Sequence, residues 1–78
     1  MSIDFKKSAI KFLEKLNKKE RTRIITSIEK IPQGDILPLH GKKITMYRLR
    51  VGKYRIIFTI ANSNLIITDI DTRGDVYK

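Results

Sequence analysis

Cysteine is absent from the 78-residue sequence, so neither a disulfide framework nor a thiolate metal site can stabilise the chain. Long hydrophobic runs are absent too. No stretch approaches the roughly 20 apolar residues needed to cross a bilayer. The start, Met1-Ser2-Ile3-Asp4-Phe5-Lys6-Lys7, lacks the apolar core of a signal peptide. These absences predict a cytoplasmic protein with no membrane partner, stabilised by aliphatic packing. Histidine occurs once, at His40, which excludes paired-histidine acid–base catalysis within one chain. No phosphate-binding glycine loop or nucleophile motif is present. Asp69, Asp71 and Asp75 lie close in sequence, but two carboxylates on one strand do not make a magnesium site, so no metal or cofactor is expected. Acids are scarce overall: 8 Asp and Glu stand against 17 Lys and Arg, a net charge of +9. Such a chain repels itself and favours a polyanionic partner.

What is present suffices for one domain, 1–78, near the lower size limit for a self-sufficient core. Ile3-Asp4-Phe5 suits a brief strand. Ser8 is placed to cap a helix, and Ala9, Phe12, Leu13 and Leu16 share one face of it. Asn17 suits a helix stop. A second helix is predicted over residues 18–31, with Ile24, Ile25, Ile28 and Ile31 on its buried side, ended by Pro32 and Gly34. The short connection predicts two antiparallel helices. After Pro38 the apolar period changes to two, and strands follow on either side of Gly52-Lys53, with a third over residues 65–70. The fold class is α+β: an N-terminal helical hairpin packed on a small, mostly antiparallel sheet of three or four strands.

Gly52-Lys53 between alternating runs fits a two-residue type II′ turn. That turn sets the register: Val51 opposes Tyr54, Arg50 opposes Arg55, Leu49 opposes Ile56 and Arg48 opposes Ile57. Tyr47, Leu49, Val51, Tyr54, Ile56 and Phe58 then face the helices, while Arg48, Arg50, Arg55, Ile57 and Thr59 face away. Two arginines directly opposite each other repel by a few tenths to ~1 kcal/mol. No Asp or Glu occurs from position 40 to 60, whereas Lys42, Lys43, Arg48, Arg50, Lys53 and Arg55 all do. Guanidinium groups without carboxylates suit phosphate oxygens, which they grip in a bidentate fork. The plainer alternative is a solvated face with arginine stems over apolar surface. The basic helices carry less weight, because Glu14, Glu20 and Glu29 are mixed among their cations.

With these residues in view, the chain resembles toxins of the RelE/ParE superfamily, from type II toxin–antitoxin modules. The resemblance covers nearly the whole chain, from Ser8-Ala9, Phe12-Leu13 and Leu16 through Leu39-His40-Gly41. Its most specific parts are Tyr47-Arg48-Leu49-Arg50-Val51-Gly52-Lys53-Tyr54-Arg55-Ile56-Ile57-Phe58 and Arg73-Gly74-Asp75-Val76-Tyr77. RelE-like members are ribosome-dependent endoribonucleases that cut messenger RNA in the decoding (A) site, whereas ParE-like members act on DNA gyrase. The resemblance implies a catalytic set of Arg48, Arg50, Arg55, Arg73 and Tyr77. Lys42, Lys43 and Lys53 are expected to bind RNA. A cognate RelB-like antitoxin is the implied protein partner. The sequence departs from many relatives in the acidic Asp69-Ile70-Asp71 before Arg73, and it ends just after Tyr77.

The implied reaction is metal-free: the RNA 2′-hydroxyl attacks the adjacent phosphate and the 5′-oxygen leaves. Arginines suit the charge on the phosphorane. They are poor bases, so the proton-transfer groups stay unassigned between Tyr77 and the lysines. Weak or no cleavage of free RNA is expected, with the ribosome bending the message. The alternatives are a ParE-like gyrase inhibitor or a catalytically inactive basic RNA-binding relative.

Overall fold

The computed structural model describes residues 2–39 and 45–72. A short strand β1 (Ile3–Phe5) leads into helix α1 (Lys7–Glu14), helix α2 (Lys18–Glu29) and strand β2 (Asp35–Leu39). Strands β3 (Met46–Val51), β4 (Tyr54–Ala61) and β5 (Asn64–Thr72) follow. The sheet runs β1-β5-β4-β3-β2, antiparallel except where β1 lies parallel to β5. It has five strands, not three or four. The strand without a sequence signal is β2, which carries Pro38 and sits on the sheet edge, where a missing N–H costs no ladder bond.

Two local expectations are corrected. Lys6 occupies the N-cap of α1 and makes no side-chain cap bond, while the Ser8 hydroxyl donates to Asp69 Oδ1 at 2.7 Å. Tertiary contact outcompetes local capping there. Asn17 opens α2 instead of closing α1: its side chain accepts from the Glu20 N–H at 2.9 Å. Helix α2 ends at Glu29, and Ile31 lies beyond it, packed against the core from the following loop.

The core is aliphatic with two aromatic rings. Ala9 and Leu13 of α1, Ile24 and Ile28 of α2, and Leu49, Val51, Tyr54, Ile56, Phe58, Leu65, Ile67 and Ile70 of the sheet are buried. Helix α1 packs on β5 and α2 on β3. Phe12 meets the Tyr54 ring edge-on at 5.9 Å, and Tyr47 stacks on Phe58 at 5.3 Å. Strict alternation would send Ile67 and Ile70 to opposite faces. A β-bulge beside Ile57 and Phe58 resets the phase so that both reach the core, and the Thr68 hydroxyl donates to the Ile57 carbonyl. No helix among the described residues is long and apolar enough to cross a membrane.

Candidate functional site

The β3–β4 hairpin has the register that its turn dictates: Val51 opposes Tyr54, Arg50 opposes Arg55, Leu49 opposes Ile56 and Arg48 opposes Ile57. Gly52 takes φ +60, while Lys53 stays at negative φ, as a type II′ turn requires. Of the helix-facing residues, Leu49, Val51, Tyr54, Ile56 and Phe58 are buried and Tyr47 is partly buried. The arginines lie on the other face, with side-chain exposures of 12% for Arg48, 42% for Arg50 and 29% for Arg55.

The acid-free reading of that face fails in space. Asp35 of β2 lies opposite Arg50, and Asp71 of β5 lies opposite Arg55. One row across four strands therefore reads Asp35, Arg50, Arg55, Asp71. The acids come from flanking strands distant in sequence, so an acid-free segment says nothing about its cross-strand neighbours. The two carboxylates bracket the arginine pair and relieve its repulsion.

The grip is unequal along the row. Arg55 donates from Nε and Nη2 to the two Asp71 oxygens at 3.2 and 2.8 Å, a bidentate fork. Arg48 and Arg50 share Asp35 more loosely, at 3.5 and 3.9 Å. Arg48 Nε is buried without a hydrogen-bond partner, a condition that costs about 1–3 kcal/mol until an acceptor arrives. Arg55 is thus fixed in plane, whereas Arg50 is exposed and loosely tied. Three arginines against two aspartates leave the patch cationic.

Lys53 does not join this patch; its Nζ sits 5.6 Å from the centroid of the Tyr54 ring, a cation–π contact at the turn. Burial raises the Tyr54 pKa above 10.0, and a hydrogen bond to the Glu20 carboxylate pushes it the same way, while Arg23 opposes the shift. Asp69 and Asp71 serve different partners, Ser8 and Arg55. Lys42, Lys43, Arg73 and Tyr77 lie outside the described residues, as do His40 and Asp75.

A second basic group went unnoticed in the sequence. Arg23, Ser27 and Lys30 repeat at helical spacing along α2. With Gln33, Gly34, Leu49, Arg50, Val51 and Gly52 they line a pocket of about 310 Å³. The signal was the i, i+4, i+7 spacing. Its partner Arg50 was already assigned to the other face of the sheet.

A family model described as the ParE toxin of the type II toxin–antitoxin system, parDE, matches residues 3–77. The chain belongs to this toxin family. Solved structures agree. It is similar to a chain of the archaeal RelE–RelB complex from Pyrococcus horikoshii OT3, with 25% identity, a TM-score of 0.76 and 94% of each chain covered. It is similar also to a chain of the RelB–RelE antitoxin–toxin complex from Methanococcus jannaschii, with 27% identity and a TM-score of 0.74, covering 95% of this chain and 94% of that one. A chain of the Mycobacterium tuberculosis toxin–antitoxin complex RelBE2 shares the fold at 21% identity and a TM-score of 0.75, covering 95% of this chain and 92% of that one. No curated protein matches the sequence. The protein is a type II toxin of the RelE/ParE superfamily.

Proposed function

We propose that this toxin is a metal-independent endoribonuclease that cleaves messenger RNA in the ribosomal A site. The carrying observation is the arginine patch on the far face of the sheet, with Arg50 directly opposite Arg55 and Arg48 one row away. Catalysis of 2′-hydroxyl attack needs donors aimed at the charge that develops on the phosphorane, and preorganised donors lose least in reorganisation. Asp71 supplies preorganisation by holding the Arg55 guanidinium in plane. Arg50, exposed and 3.9 Å from Asp35, is the arginine best able to exchange its carboxylate for a phosphate oxygen. Arg73 and Tyr77, adjacent in sequence to the end of β5, complete the proposed catalytic set; Lys42, Lys43 and Lys53 would hold flanking RNA. A guanidinium is a poor base at neutral pH, so proton transfer falls to Tyr77, a lysine or the ribosome.

The solved relatives were captured with RelB antitoxins, and a RelB-like antitoxin is the proposed protein partner. A net charge of +9 would speed its encounter with an acidic segment and make that encounter salt-sensitive.

Two observations favour a gyrase-directed reading: the family model is that of ParE, and Asp35 and Asp71 partly neutralise the arginines. Induction in cells separates the two. A translation stop with cuts mapped to the A site is expected. A DNA-damage response with intact messages would replace the ribonuclease reading by the gyrase one. Arg55→Ala and Arg73→Ala are each expected to lower cleavage on ribosomes by about 10²-fold or more and to abolish growth inhibition. Full toxicity in both would refute the site.

A further inference from the structure

The pocket between α2 and the β3–β4 turn gathers Arg23, Lys30 and Arg50, and no carboxylate lines it. We propose that it is a second phosphate site, which takes a backbone phosphate of the RNA strand whose neighbouring phosphate lies at the arginine patch; the RNA assignment rests on the ribonuclease reading above.

Three features carry this. The first is unbalanced charge: on the far face of the sheet every arginine has an aspartate within 4.0 Å, whereas no carboxylate lines the pocket, where Arg50 keeps its loose contact with Asp35 and Arg23 and Lys30 add two further cations. Like charges converging on one space favour an anion between them. The second is close approach. A side-chain carbon at Gly52 would lie 2.9 Å from Arg23 Nη2 and 3.1 Å from Nη1, so the guanidinium of this exposed side chain lies over the bare α-carbon of the turn, at the pocket wall. Ser27 and Gln33 add neutral hydroxyl and amide groups, and buried Leu49 and Val51 form an apolar wall that strengthens the field. Three cations with a hydroxyl and an amide suit an anion with more than two oxygens, such as a phosphate. At about 310 Å³, and with water occupying ~30 Å³, the space admits a phosphate with part of its ribose.

The third feature is continuity. Pairing between β2 and β3 stops at Asp35 and Arg50, so the sheet edge is open beyond them. Arg50 approaches Asp35 on the far face and also lines the pocket. It joins the two basic regions around the end of β3, and a strand held at one is led to the other.

The test uses a short single-stranded RNA with 2′-O-methyl ribose throughout, which cannot be cleaved by 2′-hydroxyl attack, and separately inorganic phosphate. The Arg23→Gln/Lys30→Gln pair is compared with Lys7→Gln/Lys11→Gln on α1, which removes the same charge. Pocket neutralisation is expected to weaken RNA binding about tenfold and to lower the slope of log affinity against log salt by about 0.7, one phosphate contact on a single strand. Lys30→Gln alone, on an exposed side chain, is expected to show about a threefold loss and guards against misfolding of the pair. In wild type, phosphate should shift the backbone amide resonances of Ser27 and Gly34, and the pocket variant should lose that response. Equal RNA losses in the two pairs would overturn the proposal. Unchanged RNA affinity in the pocket variant, with phosphate shifts present in wild type and lost in the variant, would make this a free-phosphate site and overturn the RNA assignment. Phosphate shifts in a wild-type protein that binds no RNA would overturn the RNA assignment and leave the anion site standing, while absence of A-site cuts on ribosomes is what would defeat the ribonuclease reading.

Discussion

The two faces of the sheet come from the same strands, one residue out of phase, yet they are held by different physics. The helix-facing side is dry: Leu49, Ile56, Phe58 and Ile67 are all at most 1% exposed. The far side carries a row of paired charges at the surface. Area removed from water governs the first, at ~25 cal/mol per Å²; exposed ion pairs, worth about 0–1 kcal/mol each, govern the second. Stability therefore resides on one face, and the freedom to change partners on the other. Substitutions on the far face accordingly cost little stability.

Adjacent residues give the sharpest challenge to that contrast. Ile56→Ala removes a fully buried side chain and is expected to cost about 2–5 kcal/mol in urea unfolding. Ile57→Ala, on the far face and only partly buried, should cost about 1 kcal/mol. Equal losses would mean that the far face is a second core. The ends of the charged row come next. Asp71→Ala should destabilise by about 1 kcal/mol, because it releases a bidentate fork. Asp35→Ala should stay within about 0.5 kcal/mol and tighten oligonucleotide binding about two- to fivefold at low salt by freeing Arg48 and Arg50. Weaker binding would mean that Asp35 orients those arginines and does not compete with RNA. The smallest effect concerns Tyr54. Its folded pKa lies above 10.0, so the folded state holds this proton more tightly than the unfolded one. The associated stability is complete below pH 10 and disappears as pH climbs through the raised value. Melting temperatures followed above pH 10 should therefore fall faster for wild type than for Tyr54→Phe. Parallel curves would remove Tyr54 as the cause.

The hairpin was fully legible in the sequence because its determinants are local. Gly52-Lys53 specifies the turn, the turn specifies the register, and alternation sorts the faces. The RelE/ParE resemblance rested on the same segment together with the closing Arg73-Gly74-Asp75-Val76-Tyr77, and the family comparison supports it. What escaped was set at a distance. Strand β2 has Ile36 as its only core-packed residue and contains a proline, so it reads as loop until β3 pairs with it. Asp35 and Asp71 looked remote from the arginines because sequence separation hides sheet neighbours. Ser8 and Asn17 carried true capping chemistry, yet one was diverted by Asp69 and the other capped the helix after the loop. The basic pocket was invisible because half of it lies on α2 and half on a strand whose arginine had already been given another role.

The parallel pairing of β1 with β5 bears on how the molecule assembles. Ser2 and Asn64, 62 positions apart, are joined by a hydrogen bond, and Ile3 pairs with Leu65. The β2–β5 meander can zip up by successive short hairpins as it emerges during synthesis. The first strand must wait for the last. Closing so long a loop slows folding and leaves the open β5 edge accessible until it happens. Native sheet order is therefore reached only after β5 has been made.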